Sequence, residues 1–226
     1  MSPSRQPRGV ATSGLIFDLD GTLVDSLRGI AVALNRTLHD HGREIHDHAA
    51  VRRFIGNGAR DLLRRAAGDG ITESGIDELE ATFKEHYAAA WRDGTDLYPG
   101  IPQMLETLAK AGHRLAVLSN KPHPFTVEMV AALFPHTEFD LVLGQRPEVP
   151  RKPDPAGAIE IATAFGLAPA ACAMIGDSTM DLDTGKRAGM RTVAVTWGYH
   201  DRAALLATGA NAMADDAGEL CSLLLP

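Results

Sequence analysis

Two cysteines in 226 residues, Cys172 and Cys221, are too few and too far apart for a disulfide framework or a zinc cluster. Cys172 sits in an apolar run, where packing is its expected role. No apolar stretch approaches the ~20 residues that a membrane-spanning helix needs, so no membrane partner is expected. Residues 1–12 carry arginines and prolines but no apolar h-region, which excludes a secretory signal. They are expected to form a disordered leader in a cytoplasmic protein. Basic residues are outnumbered, 22 Lys and Arg against 29 Asp and Glu. The net charge of −7 argues against a nucleic-acid partner. What remains is a 45% hydrophobic chain with the core of a globular protein, long enough for one large domain or a domain carrying an insert.

The most informative stretch is Leu15-Ile16-Phe17-Asp18-Leu19-Asp20-Gly21-Thr22. Its apolar start reads as a short buried strand. Residues i and i+2 of a strand share a side, so Asp18 and Asp20 can face one pocket. Two carboxylates held close either take a cation between them or split into acid and nucleophile roles. A bare D-x-D-G also closes many strands as a plain turn.

From Val24 to about Asp96 the chain reads helical. Apolar positions follow helical spacing at Leu27, Ile30, Ala31, Leu34 and Leu38, with Asp25 or Ser26 as cap. A second helix carries Val51, Phe54 and Ile55. Gly56-Asn57-Gly58 then breaks the pattern, Ala59 opens a third helix, and a longer one starts near Ser74. Phe83 and Trp91 are expected in the core. His39, His41, His46 and His48 lack metal-ligand spacing and read as solvated. Arg52-Arg53 and Arg64-Arg65 read as solvated helix faces. This all-helical block looks like a cap inserted between the first strand and the rest of a parallel sheet.

After Leu97-Tyr98-Pro99-Gly100 strand and helix alternate. Leu115–Leu118 is a buried strand ending in Ser119-Asn120-Lys121, and ligands of open parallel sheets bind outside such ends. A strand near Phe139–Leu143 leads to Arg151-Lys152-Pro153-Asp154-Pro155, where proline stiffens a loop that suits a fixed charge opposite phosphate. Lys152 is the candidate and Arg151 the adjacent alternative. The strand Cys172–Ile175 ends in Gly176-Asp177-Ser178, with Asp181 four residues beyond Asp177. Both carboxylates can join Asp18 as the hard oxygen ligands that Mg²⁺ prefers. Thr192–Thr196 reads as the last strand, and the C-terminal helix packs on the sheet.

These four motifs, in this order, resemble those of the haloacid dehalogenase-like (HAD) superfamily. Phe54-Ile55-Gly56-Asn57-Gly58 and Leu97-Tyr98-Pro99-Gly100 resemble its phosphoglycolate phosphatase-like branch. The resemblance implies an α/β fold: a Rossmann-like parallel sheet with helices on both faces (residues 13–23 and 97–226) and a helical cap (24–96). It implies Asp18 as nucleophile forming an aspartyl-phosphate and Asp20 as general acid and base. Ser119, Asn120 and Lys152 would bind phosphate, and Mg²⁺ would sit on Asp18, the Asp20 carbonyl, Asp177 and Asp181. The implied activity is phosphatase action on a small phosphorylated metabolite, 2-phosphoglycolate foremost, by a monomer or homodimer. A β-phosphoglucomutase-type mutase, or a non-catalytic binding protein on the same core, is the alternative. Lys84 lies too far past the glycine break for the Schiff-base chemistry of phosphonoacetaldehyde hydrolases. Arg60, with Asn57 and Gly58, opens a helix after the break and is expected to bind a substrate carboxylate.

Overall fold

A computed structural model describes residues 12–225 of the chain, so the expected leader, Thr12 apart, lies outside the described residues. The chain opens with β1 (Gly14–Phe17), turns, and adds the short β2 (Val24–Asp25). Four helices follow: α1 (Leu27–Asp40), α2 (His48–Phe54), α3 (Ala59–Ala67) and α4 (Glu73–Ala90). The chain returns along β3 (Asp96–Leu97), antiparallel to β2. Alternation then runs α5 (Ile101–Lys110), β4 (Arg114–Pro122), α6 (His123–Leu133), β5 (Leu141–Gln145) and α7 (Ala156–Phe165). It ends with β6 (Cys172–Gly176), α8 (Thr179–Arg187), β7 (Arg191–Val195), α9 (Arg202–Ala207), β8 (Ala212–Ala214) and α10 (Ala217–Leu224). No helix among the described residues is long and apolar enough to cross a membrane.

Six strands form one sheet in the order β5-β4-β1-β6-β7-β8, with every pairing parallel. β1 lies inside it and is buried throughout, which is why it reads as a continuous apolar run rather than an alternation. Its side chains still divide by period two. Leu15 and Phe17 pack in a core with α5, α6 and α10, while Ile16 joins α7 in a second core on the other face. The first of these cores runs without a break into the helical block, through Leu23, Leu34, Leu38, Val51, Leu63 and Leu79. Trp91 is fully buried, as its spacing predicts.

Two local readings need correction. The sheet does not end at Thr192–Thr196, because β8 adds an edge strand. Ala212-Met213-Ala214 is too short to alternate and holds no β-branched residue, so its sequence carries no strand signal. β4 does not stop at Leu118. It continues through Ser119-Asn120-Lys121 with a register shift, which re-aims those side chains at the end of the sheet. At the start of α1, Asp25 accepts from the Leu27 N–H at 3.1 Å, whereas the Ser26 hydroxyl turns away to Asp20.

Gly29 in α1 and Gly94 after α4 bring the departing and returning segments into backbone contact, with Gly29 N donating to Gly94 O at 2.9 Å. A Cβ on Gly94 would fall 2.4 Å from Gly29 Cα and 2.5 Å from its nitrogen. Backbone cannot yield as a flexible side chain does. Gly94→Ala should therefore destabilise the protein by about 1–3 kcal/mol through overpacking. Denaturant unfolding checks this, and an unchanged midpoint would show that the two segments do not touch.

Candidate active site

The chain leaves β1 toward β4 and β5, but leaves β6 toward β7 and β8. This reversal opens a crevice beyond the carboxyl ends of β1 and β6, where open α/β sheets bind ligands. Asp18 follows β1, Asp177 follows β6, and Asp181 lies in the first turn of α8. One oxygen from each of these buried carboxylates lies within 4.8 Å of the others. Lys152, only 3% exposed, meets two of them, at 2.9 Å from Asp18 Oδ1 and 2.5 Å from Asp181 Oδ1. It also donates to Leu118 O at 3.0 Å. Lys152 and not Arg151 is thus the buried cation. Arg151 instead donates to Asn57 O at 2.8 Å.

Each carboxylate is held by local backbone as well. Leu19 N donates to Asp18 Oδ1 at 2.7 Å. Asp181 Oδ2 accepts from Ser178 N and Oγ in a capping box, so both its oxygens are occupied. Asp177 accepts from Thr22 Oγ1 at 3.0 Å and from Tyr199 N at 2.7 Å. Two glycines permit this close fit. A Cβ on Gly21, whose φ is +85°, would lie 2.3 Å from Asp177 Oδ2, and one on Gly198 would lie 2.2 Å from Asp177 Cβ.

Three acids around one ammonium leave negative charge in excess. Burial, then Asp181, push Asp18 well above the usual carboxylate range, against the pull of Lys152. Burial and Asp181 push Asp177 up to about 7. Burial alone would lower Lys152, but Asp18 and Asp181 hold it above its ordinary value.

Asp20 stands apart from this cluster. Both its oxygens accept from Lys121 Nζ, at 2.8 and 2.7 Å, and Oδ1 also accepts from Ser26 Oγ at 2.5 Å. The Lys121 ammonium lies 4.8 Å from the centre of the Tyr87 ring, which α4 supplies. Ser119 Oγ accepts from Lys121 N at 3.2 Å, which leaves its own proton to donate. The Asn120 side chain is not free to donate to phosphate. Its amide donates to Gly56 O and Lys152 O and accepts from Lys152 N, so every polar atom of the side chain is spent on fixing the Lys152 loop.

A cavity of about 760 Å³, its open mouth included, joins these groups to the helical block. Ile55, Leu62, Phe83, Tyr87 and Phe125 supply apolar wall, and Gly58, Lys84 and His200 also line it. Arg60 does not. Its guanidinium is taken by Glu73, Asp77 and Glu80 at 2.7, 2.6 and 3.1 Å, so the expectation that it binds a substrate carboxylate is corrected. Asn57 is also absent from the wall, leaving Gly58 alone of those three. Lys84, expected away from the site, lines it, but its ammonium pairs with Glu80 at 3.1 Å. Arg52 is no solvated face: it crosses to Gly198 O and Tyr199 O at 2.6 and 3.0 Å. His46 is not solvated either, since it bonds Asn35 and Ala66 O.

A sequence model of the haloacid dehalogenase-like hydrolases matches residues 15–195. The phosphoglycolate phosphatase of Aquifex aeolicus is 36% identical over 185 residues, covering 82% of this chain and 85% of that protein. A Pseudomonas putida phosphoglycolate phosphatase is 33% identical over 207 residues, covering 89% of this chain and 76% of that one. The crystal structure of a predicted phosphoglycolate phosphatase from Haemophilus somnus superposes with a TM-score of 0.87 at 30% identity, covering 94% and 97% of the two chains. The chain belongs to the HAD-like hydrolases. It is a phosphatase, a hydrolase of phosphoric monoesters.

Sequence reasoning on this HAD phosphatase missed Lys121, Ser26, Thr22 and the Tyr199 N–H. Only Lys121 carried a signal, a charge directly after the Ser-Asn pair at a strand end. The others act through backbone or a hydroxyl, which composition does not flag.

The crowding of acids sets a pH dependence. A folded Asp177 keeps its proton up to about 7, against an ordinary 3.8. The unfolded state therefore ionises first, and this group's contribution to stability falls as pH rises from about 4 through about 7. In chelator-treated protein, Asp177→Asn should lose less Tm between pH 5 and pH 8 than the wild type loses. Identical pH profiles would refute the assignment.

Proposed function

We propose that this phosphatase hydrolyses a small carboxylate-bearing phosphate monoester, 2-phosphoglycolate foremost, using Mg²⁺ and an aspartyl-phosphate on Asp18. The observation that carries the reading is the division of the two strand-end carboxylates. Asp18 shares Lys152 with the buried acid cluster, while Asp20, two residues on, has separate partners. Two carboxylates in unlike environments suit two unlike roles.

The donor set fits a hard divalent cation, because Asp18, Asp177 and Asp181 offer only buried oxygens and, against Lys152 alone, leave two negative charges uncompensated. Asp18, Asp177 and the Asp20 carbonyl would hold the ion. Asp181, with both oxygens occupied, would act on it at second hand. When bound, Mg²⁺ supplies charge neutralisation for the phosphoryl oxygens and for the clustered carboxylates.

The residues then divide the work. The hydrogen bonds to Asp18 from Lys152 and Leu19 both fall on Oδ1, which leaves Oδ2 to attack phosphorus. Lys152 and the Ser119 hydroxyl hold the phosphoryl oxygens. Asp20 gives a proton to the departing alkoxide, then accepts one from the water that breaks the aspartyl-phosphate. Asn120 fixes the Lys152 loop. The names of the two relatives above support a small substrate of the phosphoglycolate kind.

Asp18→Asn should fold and lose activity by a factor on the order of 10⁴–10⁶, as removal of other nucleophiles does. Asp20→Asn should lose roughly 10²–10⁴-fold, with the greater loss on alkyl esters, whose leaving groups need the proton. Equal losses on an alkyl ester and on p-nitrophenyl phosphate would count against the acid role.

Chelation should abolish turnover, and Mg²⁺ should restore it. Ca²⁺ should not, because it takes more ligands at longer distances. Phosphate release from 2-phosphoglycolate, with no phosphorylated isomer formed, separates this reading from a mutase. Full activity in chelator would defeat the metal assignment.

A further inference from the structure

We infer that Lys121 is the specificity-determining cation of the leaving-group site, binding a carboxylate that the alcohol half of the substrate carries close to its ester oxygen. The inference rests on the phosphatase reading above and replaces Arg60 as the source of selection.

Lys121 is the buried ammonium that faces the cavity beside Asp20; its side chain is only 7% exposed. Other nearby cations are spoken for. Lys152 serves the acid cluster, Lys84 pairs with Glu80 at a half-exposed position, and Arg60 is held by three carboxylates. Burial holds His200, also on the wall, below its ordinary value. Around Lys121 the wall is apolar: Tyr87 lies under the ammonium, with Phe83 and Phe125 nearby.

In this setting Lys121 depends on one anion, Asp20. Burial alone would lower its affinity for a proton, and Asp20 together with Tyr87 more than restores it. An ammonium has three donors, and Asp20 takes two of them. A substrate carboxylate beside Asp20 would take the third as a charge-assisted hydrogen bond. A neutral alcohol phosphate offers no such partner.

The geometry also limits where that carboxylate sits. Asp20 must lie within about 2.6–3.2 Å of the ester oxygen to protonate it. Lys121 Nζ is 2.7 Å from Asp20 Oδ2. Lys121 Nζ therefore lies within about 6 Å of the ester oxygen, where a carboxylate on the ester-bearing carbon can reach it. The chemical class is a short 2-phospho-carboxylic acid.

The test compares 2-phosphoglycolate with 2-hydroxyethyl phosphate, the same length with a hydroxyl in place of the carboxylate. Lys121→Met should lower kcat/KM for 2-phosphoglycolate by a factor about 10² greater than its loss on 2-hydroxyethyl phosphate. Most of the difference should appear in KM, and Lys121→Arg should keep the preference. If Lys121→Met does not fold by circular dichroism, Lys121→Gln carries the same comparison. Equal losses on the two esters, or an unchanged ratio, overturn the inference and leave Lys121 as a prop for Asp20. If the wild type hydrolyses 2-hydroxyethyl phosphate but not 2-phosphoglycolate, the substrate reading fails by itself. The Ki of 2-phosphoglycolate against the neutral ester then reads Lys121, and a Ki unaltered by Lys121→Met overturns the inference independently.

Discussion

The contact of Lys152 with Asp18 and Asp181 is the constraint on which the site depends. Three buried carboxylates meet at the ends of two adjacent strands, and one ammonium is the cation placed among them. Such an arrangement persists only if further hydrogen bonds support the carboxylates. The fold supplies their donors from separate places. Leu19 N serves Asp18, the capping box of α8 serves Asp181, and Thr22 with Tyr199 N serves Asp177. Gly21 and Gly198 matter for the same reason, since a side chain on either would occupy the space of Asp177. The charge still left over is what makes the site fit a divalent cation.

A second, smaller charge pair sets the other half of the pocket. Asp20 and Lys121 sit where the helical block meets the sheet, with Tyr87 of α4 over the ammonium and Ser26, before α1, on the carboxylate. Polar ties close the same seam: Asn120 to Gly56 O, Arg151 to Asn57 O, and Arg52 to Gly198 O and Tyr199 O. Each tie ends on a backbone carbonyl of the opposite part. The position of the helices is thereby linked to the loops that carry Lys152 and Asp177. In the proposed mechanism, the sheet handles phosphate and the seam selects what is attached to it.

Much of this was readable from residue order alone. A buried parallel strand announces itself as an apolar run, so β1, β4 and β6 were legible, and with them Asp18 and Asp177 just past β1 and β6 and Ser119 within β4. Helical spacing located α1 to α4 within a few residues. β8 was not legible, because three residues of Ala-Met-Ala carry no periodic signal. Arg60 misled for a different reason. Spacing placed it correctly at the start of α3, but nothing local reveals that α4, thirteen to twenty residues on, presents three carboxylates to its guanidinium. Asn120 misled in the same way, its amide absorbed by backbone from two distant loops. Residue type and spacing disclose what a side chain can do. Which partner claims it first is decided by tertiary packing.

The central claim is that Asp18 forms and loses a covalent bond to phosphorus, held for that purpose by Lys152. The most direct test is the stereochemical course at phosphorus, followed with a phosphorothioate ester made chiral by oxygen isotopes and hydrolysed in isotopically distinct water. Two successive in-line displacements, the first by Asp18 and the second by water, predict overall retention of configuration. Inversion would mean a single direct attack by water, and would contradict the covalent mechanism.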